Sequence, residues 1–371
     1  MISYDNPQLI LLNAQELEPG AIRWSSPSNL AIVKYWGKHG RQLPRNPSVS
    51  LTLDAASTDT TLRYSPRDTP GKGIALDFYF DGAPREDFAR KVVAFLESLL
   101  PVFPFLEQLS LRIDTNNTFP HSAGIASSAS AMSALALGLC SLEDELFGTL
   151  GEDEEFHQKA SYLARLGSGS ACRSIYAHAA IWGETPDASG SSDLYGTPFG
   201  HEMHPVFHTF HDDILFISKA EKSVSSRAGH GLMEGNIYAD SRYEQARRRL
   251  RHLLDAMRRG DVEAFGAIAE AEALTLHALM MTSTPPYLLL EPNTLSAIRA
   301  VQTFRQETGH PLYFSLDAGP NLHLLYPAEV AYAVQPFVQE VLLPFCTDGQ
   351  YLPDAVGEGP VQLEVEEIEE D

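Results

Sequence analysis

Apolar residues recur along this chain with two periods. Leu109, Leu111 and Ile113 alternate with Ser110 and Arg112, which predicts a strand. Val49, Leu51 and Leu53 alternate in the same way, and Leu30–Tyr35 reads as a buried strand. Phe88, Val92, Phe95, Leu96 and Leu99 fall on one side of a helix over Glu86–Leu100. From Ala126, small residues carry Met132, Leu135 and Leu137 at helical spacing, and Leu142–Leu166 reads as helix broken around Gly148–Gly151. Further on, Asp213–Ser218 reads as a strand. A long helical region ends at Arg259, Gly260–Met281 is an amphipathic helix, and Thr294–Thr308 and Glu329–Phe345 are helical. Within Tyr313–Tyr326 two apolar runs flank Asp-Ala-Gly-Pro-Asn, which predicts a hairpin. Pro186–Pro205, rich in Ser, Gly, Asp and Pro, reads as a surface loop near a domain boundary.

With 371 residues there is chain enough for two cores. No apolar run approaches the ~20 residues needed to span a bilayer, and Met1–Gly20 lacks the basic start of a signal peptide. The net charge of −22 argues against nucleic-acid and anionic-membrane partners. Six acids in eight residues make Glu364–Asp371 a solvated tail. Cys140, Cys172 and Cys346 fit neither a disulfide framework nor a zinc pattern, in keeping with a reducing cytoplasm.

Several stretches carry chemistry. The loop Asn116–Gly124 between a strand and a helix can aim N–H groups and a helix N-terminus at an anion. Ser127 and Ser128 in the first helical turn can hold phosphate or magnesium. Lys34, Lys38, Arg41 and Arg45 place four cations in twelve residues, either a solvated basic loop or an anion site. Ser168 and Ser170, framed by glycines and followed by Arg173, form either a flexible helix start or a carboxylate or phosphate cradle. Asp317 in a turn is ordinarily an Asx-turn residue. His201, His204, His208 and His211 match no standard zinc spacing and read as surface or packing residues. Seven arginines over Ser241–Arg259 read as a solvated face with intrahelical ion pairs in preference to a nucleic-acid helix. His277 reads as a packed core histidine.

The loop residues Pro120, Gly124, Ile125, Ser127, Ser128 and Ala129 match a phosphate-loop motif and resemble the second motif of the GHMP kinase superfamily. Ser28, Asn29, Ala31 and Lys34–Lys38, then Asn46, Ser48, Ser50 and Leu51–Leu53, resemble the N-terminal signature of the mevalonate diphosphate decarboxylases. Gly167–Tyr176, the segment around Ser225–Gly229, and Asp317–Asn321 continue the resemblance in order, with Pro47 and His230 as departures. It covers about Ser28 to Leu325.

The resemblance implies an α+β, two-domain GHMP kinase fold. Its N-terminal half would be like ribosomal protein S5 domain 2, its C-terminal half ferredoxin-like, with the site in the cleft between them. Residues 1–20 would form a leader, 21–190 the ATP-binding domain, 191–360 the C-terminal domain and 361–371 the acidic tail. It further implies ATP- and Mg²⁺-dependent decarboxylation of 5-diphosphomevalonate to isopentenyl diphosphate by a homodimer. Asp317 would be the base, Lys34 would lie near the reacting centre, and Arg173 would pair with the departing carboxylate. Tyr35, Lys38, Ser226 and Arg227 would hold the diphosphate, with Ser168 and Ser170 on the mevalonate portion. Gly124, Ala126, Ser127 and Ser128 would cradle the ATP phosphates, with Ser128 a possible magnesium contact. A phosphomevalonate decarboxylase or mevalonate 3-kinase is the near alternative, and a non-enzymatic nucleic-acid binder the distant one.

Overall fold

The computed structural model describes residues 3–68, 71–119, 126–220 and 224–365, with the side chains at 226 and 227 outside that description. The strands are β1 (Gly20–Val33), β2 (Lys38–His39), β3 (Leu43–Pro44), β4 (Ser48–Pro66), β5 (Ala75–Phe80), β6 (Ala83–Pro84), β7 (Leu109–Asn117), β8 (Ala179–Trp182) and β9 (Gly196–Pro198). After them come β10 (Phe210–Leu215), β11 (Tyr313–Leu316), β12 (Leu322–Pro327), β13 (Tyr351–Leu352) and β14 (Val361–Leu363). The helices are α1 (Glu86–Glu97), α2 (Ser127–Phe147), α3 (Asp153–Gly167), α4 (Ser226–Gly231), α5 (Ala239–Arg259), α6 (Val262–Met281), α7 (Pro292–Thr308) and α8 (Ala331–Phe337).

One sheet runs β14-β1-β4-β7-β5-β6, with β8 joined to β4 and β9 to β8; a second runs β11-β12-β10-β13. The alternation at Val49, Leu51 and Leu53 belongs to β4, a strand far longer than that pattern indicates. Between Ala56 and Tyr64 its even-numbered residues are buried, as expected of a sheet with one wet face, but all of Ser48–Leu53 is buried. That end of β4 therefore presents Ser48, Ser50 and Thr52 to the interior.

The small residues of α2 let it lie close on β1 and β4. A Cβ at Gly138 would sit only 3.8 Å from the Leu62 side chain. At this close approach the hydroxyls of Ser130 and Ser133 bond those of Thr58 and Ser26, at 2.6 and 2.5 Å, which satisfies polar groups that would otherwise be buried unpaired. The left-handed Gly148 (φ 63°) ends the helix. Leu62, Leu96, Leu106, Leu137 and Leu163 belong to the core on this side of the sheet; Phe314, Leu322, Leu324 and Val334 belong to the core of the second sheet.

The structure departs from the expected layout in several places. Within the first twenty residues, Leu9 is buried in the first core, and Leu11 exchanges two hydrogen bonds with Gln108. The acidic tail begins with a strand, since Val361–Leu363 pair with Arg23–Ser25. The stretch expected as a surface loop contains β9 and buries Phe199 and Met203, so the first sheet extends past residue 190. The Gly/Ser segment after α3 is a single 3-10 turn, Gly169–Arg173.

The arginines of α5 reach other elements more than their own helix: Arg251 pairs with Asp187, Arg258 with Glu202 and Arg242 with Glu272, whereas Arg259–Asp255 is intrahelical. The histidine cluster disperses. His204 accepts from the Val206 N–H, His208 meets His178 edge-on, and His211 stacks on Tyr326. Helix α6 is long and apolar enough to cross a membrane by length and composition alone, but Glu263, Glu270 and Glu272 interrupt its apolar run. Half of its residues are buried, and α6 packs against α5 and β11 with Glu272 at its centre.

Candidate active site

The strand β1 ends at Val33, and Lys34 follows it into the space between the two sheets. The tight turn after β11 brings Asp317 to the same place. Lys34 Nζ donates to Asp317 Oδ1 at 3.0 Å and Ser315 Oγ at 3.3 Å, and also to the Ala31 carbonyl. The lysine side chain is 3% exposed and that of Asp317 24%, so the carboxylate opens to the cleft while its cation is enclosed. His277, buried on α6 as expected, places Nε2 3.1 Å from the Asp317 carbonyl.

Arg173, in the 3-10 turn after α3, is fully buried. Nη1 donates to Ser48 Oγ at 2.5 Å, and Nε and Nη2 both donate to Asn29 Oδ1 at 3.3 Å. These hydrogen-bond partners are neutral. Burial pulls its guanidinium below its ordinary value, with Cys172, Tyr35 and Asp317 opposing. Cys172 is no nucleophile, because burial pushes its thiol up to about 12.

Tyr35 stands against Trp182 (4.7 Å, edge-on) and His230 (4.6 Å, stacked). Burial raises its phenol, against the pull of Arg173. Lys38 Nζ lies 5.7 Å from the Tyr35 ring centre and donates to Gln42 at 2.7 Å. His230 is wedged between Tyr35 and Trp36, and its Nδ1 accepts from the Gly37 N–H at 3.0 Å. That bond leaves the ring proton on Nε2. Burial, and then Lys38, hold this imidazole well below its ordinary range.

The N-terminus of α2 follows Ala126 in the left-handed region (φ 46°), with no capping side chain among the described residues. Its first N–H groups and the Ser128 hydroxyl, 3.2 Å from Ser168 Oγ, form an anion-accepting corner. Pro120, Gly124 and Ile125 of the phosphate-loop motif lie outside the described residues. So do the side chains of Ser226 and Arg227; their helix α4 is capped by Ser225, whose Oγ accepts from the Ala228 N–H.

A cleft of about 1150 Å³ joins these groups, above the ~300–1,000 Å³ of a single small-ligand site. Lys34, Tyr35, Lys38, Ala126, Ser128, Ser168, Ser170, Arg173 and Asp317 all line it; Ser127 is in the first turn of α2 but not on the wall. The sequence reading named Asn29 and Ser48 only as motif letters. The structure shows them as the neutral partners that seat Arg173. Ser315 went unnoticed; its spacing of two from Asp317 on a strand that buries every residue was the available clue. The chemistry of the donor set fits a magnesium nucleotide at the α2 corner: hydroxyls and helix N–H groups for phosphate oxygens, with no soft ligand required.

Two family models match the chain. Residues 26–193 match the diphosphomevalonate decarboxylase-like N-terminal domain, and residues 214–367 the mevalonate 5-diphosphate decarboxylase C-terminal domain. The diphosphomevalonate decarboxylase of Gibberella zeae is 30% identical over 319 residues, 81% of this chain and 80% of that protein. The Bos taurus protein of the same name is 30% identical over 314 residues, 80% and 74% of the two chains. The mevalonate diphosphate decarboxylase structure from Staphylococcus aureus superposes with a TM-score of 0.79 at 26% identity, covering 94% of this chain and 99% of that one. One from Enterococcus faecalis gives 0.77 at 27%, covering 94% and 100%. A further structure, described as bound to MVAPP, AMPPCP and magnesium, gives 0.77 at 28% with the same coverage.

Proposed function

The chain belongs to the diphosphomevalonate decarboxylase family, and on that premise we propose that it converts 5-diphosphomevalonate and ATP to isopentenyl diphosphate, ADP, phosphate and carbon dioxide. The observation that carries this reading is Arg173. A buried guanidinium with only neutral partners is a charge waiting for an anion, because an unpaired buried charge is costly. It shares its cleft with the Lys34–Asp317 pair. A carboxylate on Arg173 and a hydroxyl at Asp317 are the two ends of a 3-hydroxy acid.

Asp317 takes the proton of the C3 hydroxyl, and the oxygen attacks the terminal phosphorus of ATP as ADP leaves. The C3–O bond then breaks and phosphate departs. The C1–C2 bonding electrons become the new C2=C3 double bond, and C1 leaves as carbon dioxide. Lys34 keeps Asp317 anionic before transfer. Arg173 holds the carboxylate in line until it goes, and enclosure of the cleft favours loss of that charge.

Tyr35, Lys38, Ser226 and Arg227 hold the diphosphate, and Ser168 and Ser170 orient the mevalonate portion. Gly124, Ala126, Ser127 and Ser128 take the ATP phosphates. Ser128 would help hold magnesium there, which would offset phosphate charge. The resemblance also supports a homodimer, which light scattering on the purified protein checks. The deciding assay follows ADP and carbon dioxide release with mevalonate, its 5-phosphate and its 5-diphosphate. Turnover of the diphosphate alone is expected; turnover of the monophosphate with none of the diphosphate overturns the substrate assignment.

A further inference from the structure

The arginine-rich helix has no part in the reading above, yet one of its arginines reaches the centre of the site. Arg242 on α5 and Glu272 on α6 form a bidentate pair, Nη1–Oε1 and Nη2–Oε2 both 2.6 Å, with side chains 1% and 0% exposed. The pair also grips the main chain of Lys34. Glu272 Oε2 accepts from the Lys34 N–H at 3.0 Å, and Arg242 Nη2 donates to the Lys34 carbonyl at 2.8 Å. The residues that meet here are 238 and 208 positions from Lys34 in sequence. Five residues further along α6, His277 holds the Asp317 carbonyl. One rigid helix thus touches the backbone of both members of the Lys34–Asp317 pair, at points about 7.5 Å apart along its axis.

We infer that Glu272, locked by Arg242, is a positioning residue that sets the Lys34 backbone against Asp317, with α6 as the gauge between them. The inference rests on the reading of Asp317 as the base. Neither residue needs to touch substrate. Burial alone would raise the Glu272 carboxyl, but Arg242 and Arg249 outweigh it and hold the group below its usual range, so the clamp stays ionised while Asp317 cycles. Arg249 supplies an internal control. It donates to Glu272 Oε1 at 2.8 Å, and to Thr275 and Ala271, all on α6.

The test compares Arg242→Met/Glu272→Leu, Glu272→Gln and Arg249→Met in the full-length protein, reading kcat, the KM for ATP and Tm. Replacing both members of a buried ion pair by apolar residues is often neutral or stabilising. The double variant is therefore expected to keep a Tm at or above that of Glu272→Gln. Its kcat should still fall on the order of 10²-fold, as for an ångström-scale misplacement, with KM for ATP little changed. Arg249→Met, which leaves the Arg242–Glu272 grip on the Lys34 backbone in place, should lower Tm with a much smaller fall in kcat than the double variant. A double variant with parental kcat overturns the inference. If that variant does not fold, Glu272→Gln against Arg249→Met decides, and equal rate loss per degree of Tm overturns it. Asp317→Asn is run beside them. If it abolishes turnover while the double variant keeps its rate, only the clamp fails; if it keeps turnover, the base assignment fails.

Discussion

Asp317→Asn is the substitution that separates a catalytic base from a turn residue, and the structure changes what it should do. Asparagine fits the turn and keeps its hydrogen bonds, so a purely local role predicts almost no effect. Lys34, however, is 3% exposed and 3.0 Å from the carboxylate. Removing the negative charge leaves a buried ammonium, and breaking a fully buried pair costs about 3–5 kcal/mol. Asp317 is 24% exposed, so solvent screens part of this and about 1–3 kcal/mol is expected. At about 2–4 °C per kcal/mol, Tm should fall by roughly 2–12 °C. Loss of a general base should lower ADP release by about 10²–10⁴-fold. The two effects are separated by Asp317→Asn/Lys34→Met, which removes the stranded cation: Tm should recover and activity should not. The assay is coupled ADP formation beside carbon dioxide release, and both should vanish together because proton removal comes first. More than about a tenth of the parental rate in Asp317→Asn, against the ~10²-fold minimum for such a base, would refute the assignment.

Arg173→Lys keeps the charge and loses the planar fork that reaches Asn29 and Ser48. Each lost charged hydrogen bond is worth about 1.5–3 kcal/mol, roughly 10- to 150-fold in rate; a fall in Tm with no specific rate loss would make the residue structural. Ser128→Ala should raise the KM for ATP by a similar factor for one bond while Tm holds, since its side chain is exposed; unchanged ATP kinetics would leave α2 as an ordinary helix start. His230 is kept neutral in the fold, first by burial and then by Lys38, whereas the unfolded chain protonates it below about pH 6.5. Its contribution to stability is therefore present above that pH and lost as pH falls, by at most about 1.4 kcal/mol per unit. His230→Met should show a shallower decline in Tm between pH 6.5 and 5, and parallel curves for the two proteins would exclude this linkage.

The amino-acid sequence alone carried whatever depends on neighbours along the chain. The strand at Leu109–Ile113, the helix Glu86–Leu100, the small-residue helix after Ala126 and the hairpin around Asp317 are periods and turns, and each stands where the pattern put it. The motifs likewise named Lys34, Arg173 and Asp317 without a coordinate. Only the tertiary structure decided what those residues face. Strand β4 extends to Pro66 because β1 and β7 pair along it, and Val361–Leu363 becomes a strand because β1 offers it an edge. Pairing across hundreds of residues leaves no local period. Glu272 was one acid of three in an apolar helix, and Arg242 one arginine among seven. Burying either charge demands a partner, which each finds on the neighbouring helix, and the fold then carries the pair across more than 200 residues to Lys34.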